Sequence, residues 1–264
     1  HLQPPTTCAK IIHFRHPDMK YRALYEAHRQ EFGLVEDSGW DCEIPGMPEI
    51  VMFAQTHVFG ADCSNAKQLT FAEMEGRRQV RAAMDIIRKY GPQGKSITLA
   101  ALPAYIGIRE TRRFDGLYRL TEDDVLSGKR FDDAIANGSY RVDIHYTDKG
   151  GFLFKYLDGT SEECRSGGTV KGRWRPETAV NPTFYQIPYR TMVRRECKNL
   201  IMAGRMISAD KAAYGAIRVM VTMNQTGEAA GVAAVLAQKT NCAVSDVDPA
   251  ELRKALAAGG SIIF

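Results

Sequence analysis

The hydrophobic and polar positions change their spacing several times along the chain, and each change predicts an element. Residues 17–33 carry helical spacing, with Pro17 in the first turn, where its missing N–H is tolerated, and Gly33 as the stop. Gly39–Pro48, rich in Gly, Pro and acids, reads as a loop ahead of a short strand at Ile50–Ala54. Thr70-Phe71-Ala72-Glu73 has the form of a capping box. Val80, Met84 and Ile87 follow at helical spacing until Gly91-Pro92 ends the helix. Ser96–Arg109 turns extended, and a second capping box, Thr121-Glu122-Asp123-Asp124, opens a short helix closed near Gly128. Tyr140–Tyr146 and Phe152–Leu157 flank Thr147-Asp148-Lys149-Gly150-Gly151, the pattern of a hairpin. Thr183–Val193 is extended, and Leu200–Ala203 is apolar enough for a buried strand. A loop follows, then a long helix from about Met223 to Gln238. Asp248-Pro249-Ala250-Glu251 caps a last helix that stops at Gly259-Gly260.

Strands and helices therefore mix throughout. The predicted class is α+β: mixed or antiparallel sheets through the middle, joined near the end to one strand–loop–helix unit of α/β type. Composition agrees with a globular chain, since 44% hydrophobic residues in 264 suffice for a real core. Twenty-three glycines and 11 prolines are too few for a collagen-like or low-complexity chain. A net charge of +4 suits an anionic small ligand and argues for no nucleic-acid partner. No apolar run reaches the roughly 18 residues that a membrane span requires. The opening His1-Leu2-Gln3-Pro4-Pro5 resembles neither a signal peptide nor an initiating end, so the chain is expected to start part-way along a longer protein. The six cysteines form no C-x-x-C pair, which disfavours zinc and leaves room for one or two disulfides. The compartment stays open.

Candidate chemistry concentrates between Asn199 and Gln238. Gly227 and Gly231, with Ala230 and Ala234, place small side chains four apart on one helix face. Such a face admits either a packed backbone or a flat ligand, and a helix amino end offers N–H groups to electron-rich oxygens. Arg109, Arg112 and Arg113 form a cluster in which 109 and 113 would share one face of an extended strand. They suit a substrate carboxylate, or ion pairs with Glu110, Asp115 or Glu122-Asp123-Asp124. Arg205 follows Ala203-Gly204 at a strand end, and Arg218 sits among apolar residues and needs a carboxylate or ligand oxygen. His13, His16, His28, His57 and His145 stand alone in sequence, without metal-type spacing, and none is expected in a site. No G-x-S-x-G elbow or cysteine triad is present, and Asp123-Asp124 and Asp132-Asp133 read as capping and surface charge. Trp174, between Arg173 and Arg175, reads as an edge-of-sheet cation–π contact.

Four segments, in this order and separation, resemble the carboxy-terminal part of the FAD-dependent oxidoreductase family with a glutathione-reductase-type FAD domain. They are Ile106–Arg113, Leu120–Leu126, Arg130–Ala136 and Ile187-Pro188-Tyr189-Arg190, the last leading into Asn199–Ala237. The similarity is carried by residues 96–238. It implies a cap (substrate) domain over residues 1–192, the carboxy-terminal part of an FAD-binding domain over 193–245, and a terminal helix and tail over 246–264. It also implies hydride transfer between a small organic substrate and the flavin. Ala203, Gly204, Arg205, Ser208 and Arg218 would lie on the flavin side, as would Thr226, Gly227, Glu228, Ala230 and Gly231. Arg109 or Arg113 would orient substrate. Tyr214 would be the nearby proton donor, where family members carry a His. The amino-terminal strand and G-x-G-x-x-G turn that hold the ADP half of FAD have no counterpart here. A chain of this span is thus expected to carry little or no FAD by itself. It would act as a fragment of the enzyme completed by an amino-terminal FAD-domain half, or as a non-catalytic remnant or subunit with an apolar face for a partner or a homo-oligomer.

Overall fold

Pro45-Gly46 turns the chain back on itself inside the stretch read as a loop. Gly46 has φ +80°, the left-handed value that a Pro-Gly turn demands of its second residue. β2 (Trp40–Ile44) and β3 (Met47–Ala54) therefore form a hairpin, with Ile44 opposite Met47. The loop expectation for Gly39–Pro48 fails because β2 is an edge strand with little burial, so no alternation marks it.

The computed structural model describes residues 2–37 and 39–264. They divide into two compact units interleaved along the chain: His1–Thr111 with His145–Phe152 and Glu163–Val170, and Arg112–Ile144 with Leu153–Glu162 and Lys171–Phe264.

The first unit adds β1 (Ala9–Ile12) and β4 (Thr98–Ala101) to the hairpin, giving the order β2-β3-β1-β4 with antiparallel pairings. α1 (Tyr21–His28) is shorter than the expected 17–33, because Lys20 leaves the helical region at φ −104°, ψ 83°. α2 (Ala66–Tyr90) buries Ala72, Gly76, Gln79, Val80, Ala83, Met84 and Ile87 on one face. Ile11, Val51 and Phe53 of the sheet belong to the same core as Val80, Ala83, Met84 and Ile87. α2 begins earlier than Thr70: the Asn65 side chain accepts from the Lys67 and Gln68 amides, and Thr70 Oγ1 donates back to Ala66 O within the helix.

In the second unit α3 (Glu122–Leu126) keeps the expected capping box, with Thr121 and Asp124 bonding each other's amides. β5 (Ala134–Gly138) pairs antiparallel with a strand at Tyr185–Pro188, and both lie on a core that includes Ile135, Tyr185, Ile187, Met192 and Tyr214. β6 (Val142–His145), β7 (Phe152–Lys155), β8 (Thr160–Arg165) and β9 (Gly168–Arg173) form a third sheet in that order, with residues counted in both units. The predicted hairpin is β6–β7, and Tyr185–Pro188 becomes β10. The run Leu200–Ala203 forms no strand. Its Met202 amide donates to Met192 O, but there is no ladder to pair with, and Leu200 is left 42% exposed. The following loop instead contains α4 (Lys211–Ile217), whose Asp210 cap accepts from the Ala213 amide. α5 (Met220–Thr240) and α6 (Pro249–Ala258) match the two predicted helices. The class is α+β, while the strand of the expected α/β unit is missing.

All six cysteines are free thiols. Among the described residues no helix is long and apolar enough to cross a membrane.

Candidate functional site

α5 brings together several of the residues singled out on its own surface and on the 203–208 turn. Thr222, Thr226, Ala229, Ala233 and Ala237 recur every three or four residues and face the core. The opposite edge carries Gly227 and Gly231, and a side chain built at either would meet nothing within 4 Å. Thr226 Oγ1 accepts from the Gly204 amide at 3.1 Å and donates to Met223 O. The turn is thereby tied to the helix two turns from its start. Gly204 takes φ +77° with open space beside it, and Arg205 is exposed next to it. Ala203 and Ala230 are half-buried. Ser208 is buried, its amide donating to Thr191 O and its carbonyl accepting from Leu120. Glu228 lines a cavity of about 520 Å³ with Asn137, Gly138, Phe184, Gln225 and Phe264, and its carboxylate accepts from the Ser261 hydroxyl.

Two features shift from expectation. α5 starts at Met220, so the amides of Thr226–Glu228 lie in its second turn and serve the helical ladder; the amino end lies at Val219–Thr222. Arg218 finds its partner in a carboxylate of the chain, since its guanidinium stands 3.4 Å from Asp143 Oδ2.

The arginine cluster does not form a strand, because residues 108–116 pair with no ladder. Arg113 donates to Ala209 O, and its guanidinium lies 5.2 Å from the centre of the Tyr214 ring. Arg112 is exposed. Three of the acids weighed as partners pair with other cations: Asp115 with Arg194, Glu122 with Lys155, Asp124 with Lys129. Tyr214 is fully buried, and its hydroxyl donates to Arg205 O at 2.9 Å. That placement makes it a strut between α4 and the 203–208 turn. Asp133, read as surface charge, is buried and held by both ends of the Arg190 guanidinium. Trp174 meets Arg175 as expected, at 5.1 Å.

Arg109 leads to the residues that the sequence hid. In the first unit its guanidinium donates to Pro4 O and to Thr6 Oγ1, and a second nitrogen lies 3.3 Å from His57 Nε2. The other ring nitrogen of His57, Nδ1, is 2.8 Å from Asp37 Oδ1. The His57 and Asp37 side chains are only 2% and 3% exposed. His145 packs its ring 5.0 Å from that of His57, and Phe152 backs His145. The histidines are therefore not all isolated. No spacing rule could find this cluster, because Asp37, His57, Arg109 and His145 meet only through the fold.

The field around the cluster is that of a buried carboxylate among aromatic and aliphatic groups. Burial raises the Tyr21 hydroxyl well above its ordinary value, with Tyr25, Asp37 and Asp41 adding to it. Burial and the Asp37 charge do the same to Tyr25. Burial also pushes the Cys8 thiol up, against the pull of the nearby Arg109 charge.

A family profile described as FAD dependent oxidoreductase matches residues 2–256. The chain belongs to the FAD-dependent oxidoreductase family. The match extends well beyond residues 96–238 and takes in residues 2–95, where none of the four quoted segments lies. No curated protein matches the chain, and no solved structure does. FAD is the cofactor of this family, and the residues present fit it in part. There is open space at Gly204 and, on the side of α5 away from the core, at Gly227 and Gly231, which is where a flat group could come close. Thr226 and Ser208, both buried, and Arg218, paired with Asp143, are already engaged within the protein. The sequence holds no G-x-G-x-x-G turn for the diphosphate.

Proposed function

We propose that this flavin-linked oxidoreductase chain supplies one face of a flavin site and the cation that orients a small anionic organic substrate. What supports the first part is the open space at Gly227 and Gly231 on α5 and at Gly204, whose amide is bonded to Thr226 of the same helix, together with family membership. On this reading residues 193–245 are the carboxy-terminal part of a glutathione-reductase-type FAD-binding domain. Gly204, Gly227 and Gly231 let the ring system lie close, while Ala203, Arg205, Glu228 and Ala230 border it. FAD when bound supplies a two-electron acceptor or donor for hydride exchange. The protein's share is positioning: within the first unit Arg109 is the cation for a substrate carboxylate, and within the second Arg113, 5.2 Å from the centre of the Tyr214 ring, is a fixed positive charge. Tyr214 acts through Arg113 and Arg205, its hydroxyl donating to Arg205 O.

The test uses Gly227→Val. Because a side chain there meets nothing within 4 Å, the fold should tolerate it. Titration of the purified chain with FAD, followed by quenching of flavin fluorescence, should show weak binding that Gly227→Val and Gly231→Val reduce about tenfold at unchanged melting temperature, about 1.4 kcal/mol. FAD binding unaffected by both substitutions would refute the assignment of this edge.

One observation favours a partner-binding role for the same helix. Met220 and Val221 are 82% and 71% exposed, and Val235 extends the apolar edge. Surface of this kind is normally covered by protein. The substrate, electron acceptor and any amino-terminal half or second copy that covers this edge belong to this proposal.

A further inference from the structure

Residues 261–264, one flank of α5 and the end of β5 border a cavity of about 520 Å³ that lies wholly within the second unit. Small organic ligands are commonly held in spaces of this order, roughly 300–1,000 Å³. The walls are mainly apolar: Ile135, Phe184, Ile262, Ile263 and Phe264. The Phe184 and Phe264 rings stand 5.1 Å apart at 46°, which offers both a face and an edge to a third ring. Ile262 and Phe264 are exposed, and their backbone holds them in place. The Asn137 side-chain amide donates to Ile262 O at 2.7 Å, and Gln186 and Arg253 donate to Phe264 O at 3.2 and 2.7 Å. The wall is thus fixed while its side chains stay open to an incoming group.

The polar atoms of the lining decide what that group is. The Gln225 side chain accepts from the Asn137 backbone amide and donates to Asn137 O, both at 2.9 Å. The Asn137 side chain is bonded at both ends, to Gln186 and to Ile262. The Ser261 hydroxyl donates to Glu228 Oε1 at 2.8 Å. What remains is Glu228 Oε2, with no hydrogen bond or ion pair among the described residues, and the Ser139 and Thr183 hydroxyls. A carboxylate only accepts, so it calls for a donor on the ligand. An anionic ligand would meet that carboxylate with no lining cation to offset it. A cationic ligand would meet the guanidinium groups behind the walls. Arg130 lies 3.4 Å from the centre of the Phe184 ring, and Arg253 donates to Ala134 O and Phe264 O. A neutral donor suits both sides.

We propose that this cavity binds an uncharged aromatic alcohol or phenol of one or two rings, whose hydroxyl donates to Glu228 Oε2. The ring system packs on Phe184, Phe264 and Ile135, and its burial removes apolar surface of both partners from water. The O–H to carboxylate bond, strengthened by the acceptor's charge, gives the site its selectivity. The site goes beyond the flavin reading: Glu228 is the one residue common to both, and Gly204, Gly227 and Gly231 do not line the cavity.

Naphthol is the probe, neutral at pH 7 because phenols ionise at about pH 10. Added to the ¹⁵N-labelled full chain, it should move the amide resonances of residues 135–139, 183–184, 225–228 and 261–264. Methoxynaphthalene has the same rings and no donor. It should bind roughly tenfold more weakly, the value of one hydrogen bond to a charged acceptor. Naphthoate should also bind more weakly than naphthol. In Glu228→Leu the affinities of naphthol and methoxynaphthalene should become equal. Ser139→Trp, which puts a large side chain into the cavity, should abolish binding of both. Melting temperatures show whether these variants are folded; if either is not, the comparison of the three ligands on the wild-type chain decides alone. Naphthol that fails to bind, or that shifts resonances elsewhere, overturns the proposal. So does methoxynaphthalene or naphthoate that binds as tightly as naphthol, and so does a preference for naphthol that survives in folded Glu228→Leu.

Discussion

Gly76 and Gly227 are both helical glycines, and their surroundings are opposite. A Cβ at Gly76 would stand 2.0 Å from Thr7 Oγ1 and 3.0 Å from Thr7 Cβ. Thr7 is buried, and its amide and carbonyl are both bonded to Thr56, so it has little room to yield. Gly76→Ala should therefore lower stability by about 1–3 kcal/mol, the usual cost of overpacking, against a helix-propensity gain of about 1 kcal/mol. Urea denaturation checks this, and an unchanged or raised midpoint would contradict the packing described. In the amino-acid sequence the two glycines look alike, and only the fold separates contact from open approach. The same holds for His57. Its ordinary sequence neighbours conceal a carboxylate 20 residues before it and an arginine 52 residues after it. Arg218 shows the converse: its apolar neighbours correctly signal that it needs a partner, and the fold supplies Asp143 from a distant segment.

Elements were legible where their determinants are local. The second capping box lies within four consecutive residues, and α3 forms where those residues place it. Thr70–Glu73 has the same letters, but Asn65 captures the helix start one turn sooner, and a pattern cannot rank two competing caps. Leu200–Ala203 failed for a different reason: a strand is made by its partner, and hydrophobicity does not supply one. α3 carries a pH dependence with a definite sign. Asp124 is buried, which by itself raises its pKa. The bonds from Lys129, Thr121 and Tyr118 outweigh burial and hold the carboxyl below its usual range. A depressed folded-state pKa means that the stabilisation is present above the unfolded value, near 3.9, and is lost as pH falls through the lower folded value. Asp124→Asn should cost about 1 kcal/mol at pH 7, on the scale of a lost cap, and the gap to wild type should close below about pH 4. Thermal unfolding of both proteins across that range decides it; a gap that persists or widens in acid would show that the charge on Asp124 is not what holds the cap.

At the scale of the whole molecule, the order of strands and helices along the sequence correctly announced an α+β chain, and the family match accounts for the redox reading. The net charge of +4 does not locate the cations that matter, since Arg109, Arg190 and Arg218 are each placed by contacts that only the fold brings together. The uncovered edge of α5 bears on the molecule's state of assembly. Met220, Val221 and Val235 expose apolar surface on a helix whose other face is fully packed, and Gly227 and Gly231 leave that surface free of bulk. Covering it would release roughly 25 cal/mol per Å² of apolar area, before the cost of association is subtracted. Sedimentation velocity over a range of concentrations should therefore reveal reversible association of the isolated chain. Val221→Glu should suppress that association without altering the melting temperature, because residue 221 packs against solvent and an added charge there is desolvated only when two surfaces meet. A wild-type chain that stays monomeric at every concentration, or a Val221→Glu chain that associates as readily, would mean that this edge is not a protein contact. The glycine-lined surface would then be left to the cofactor alone.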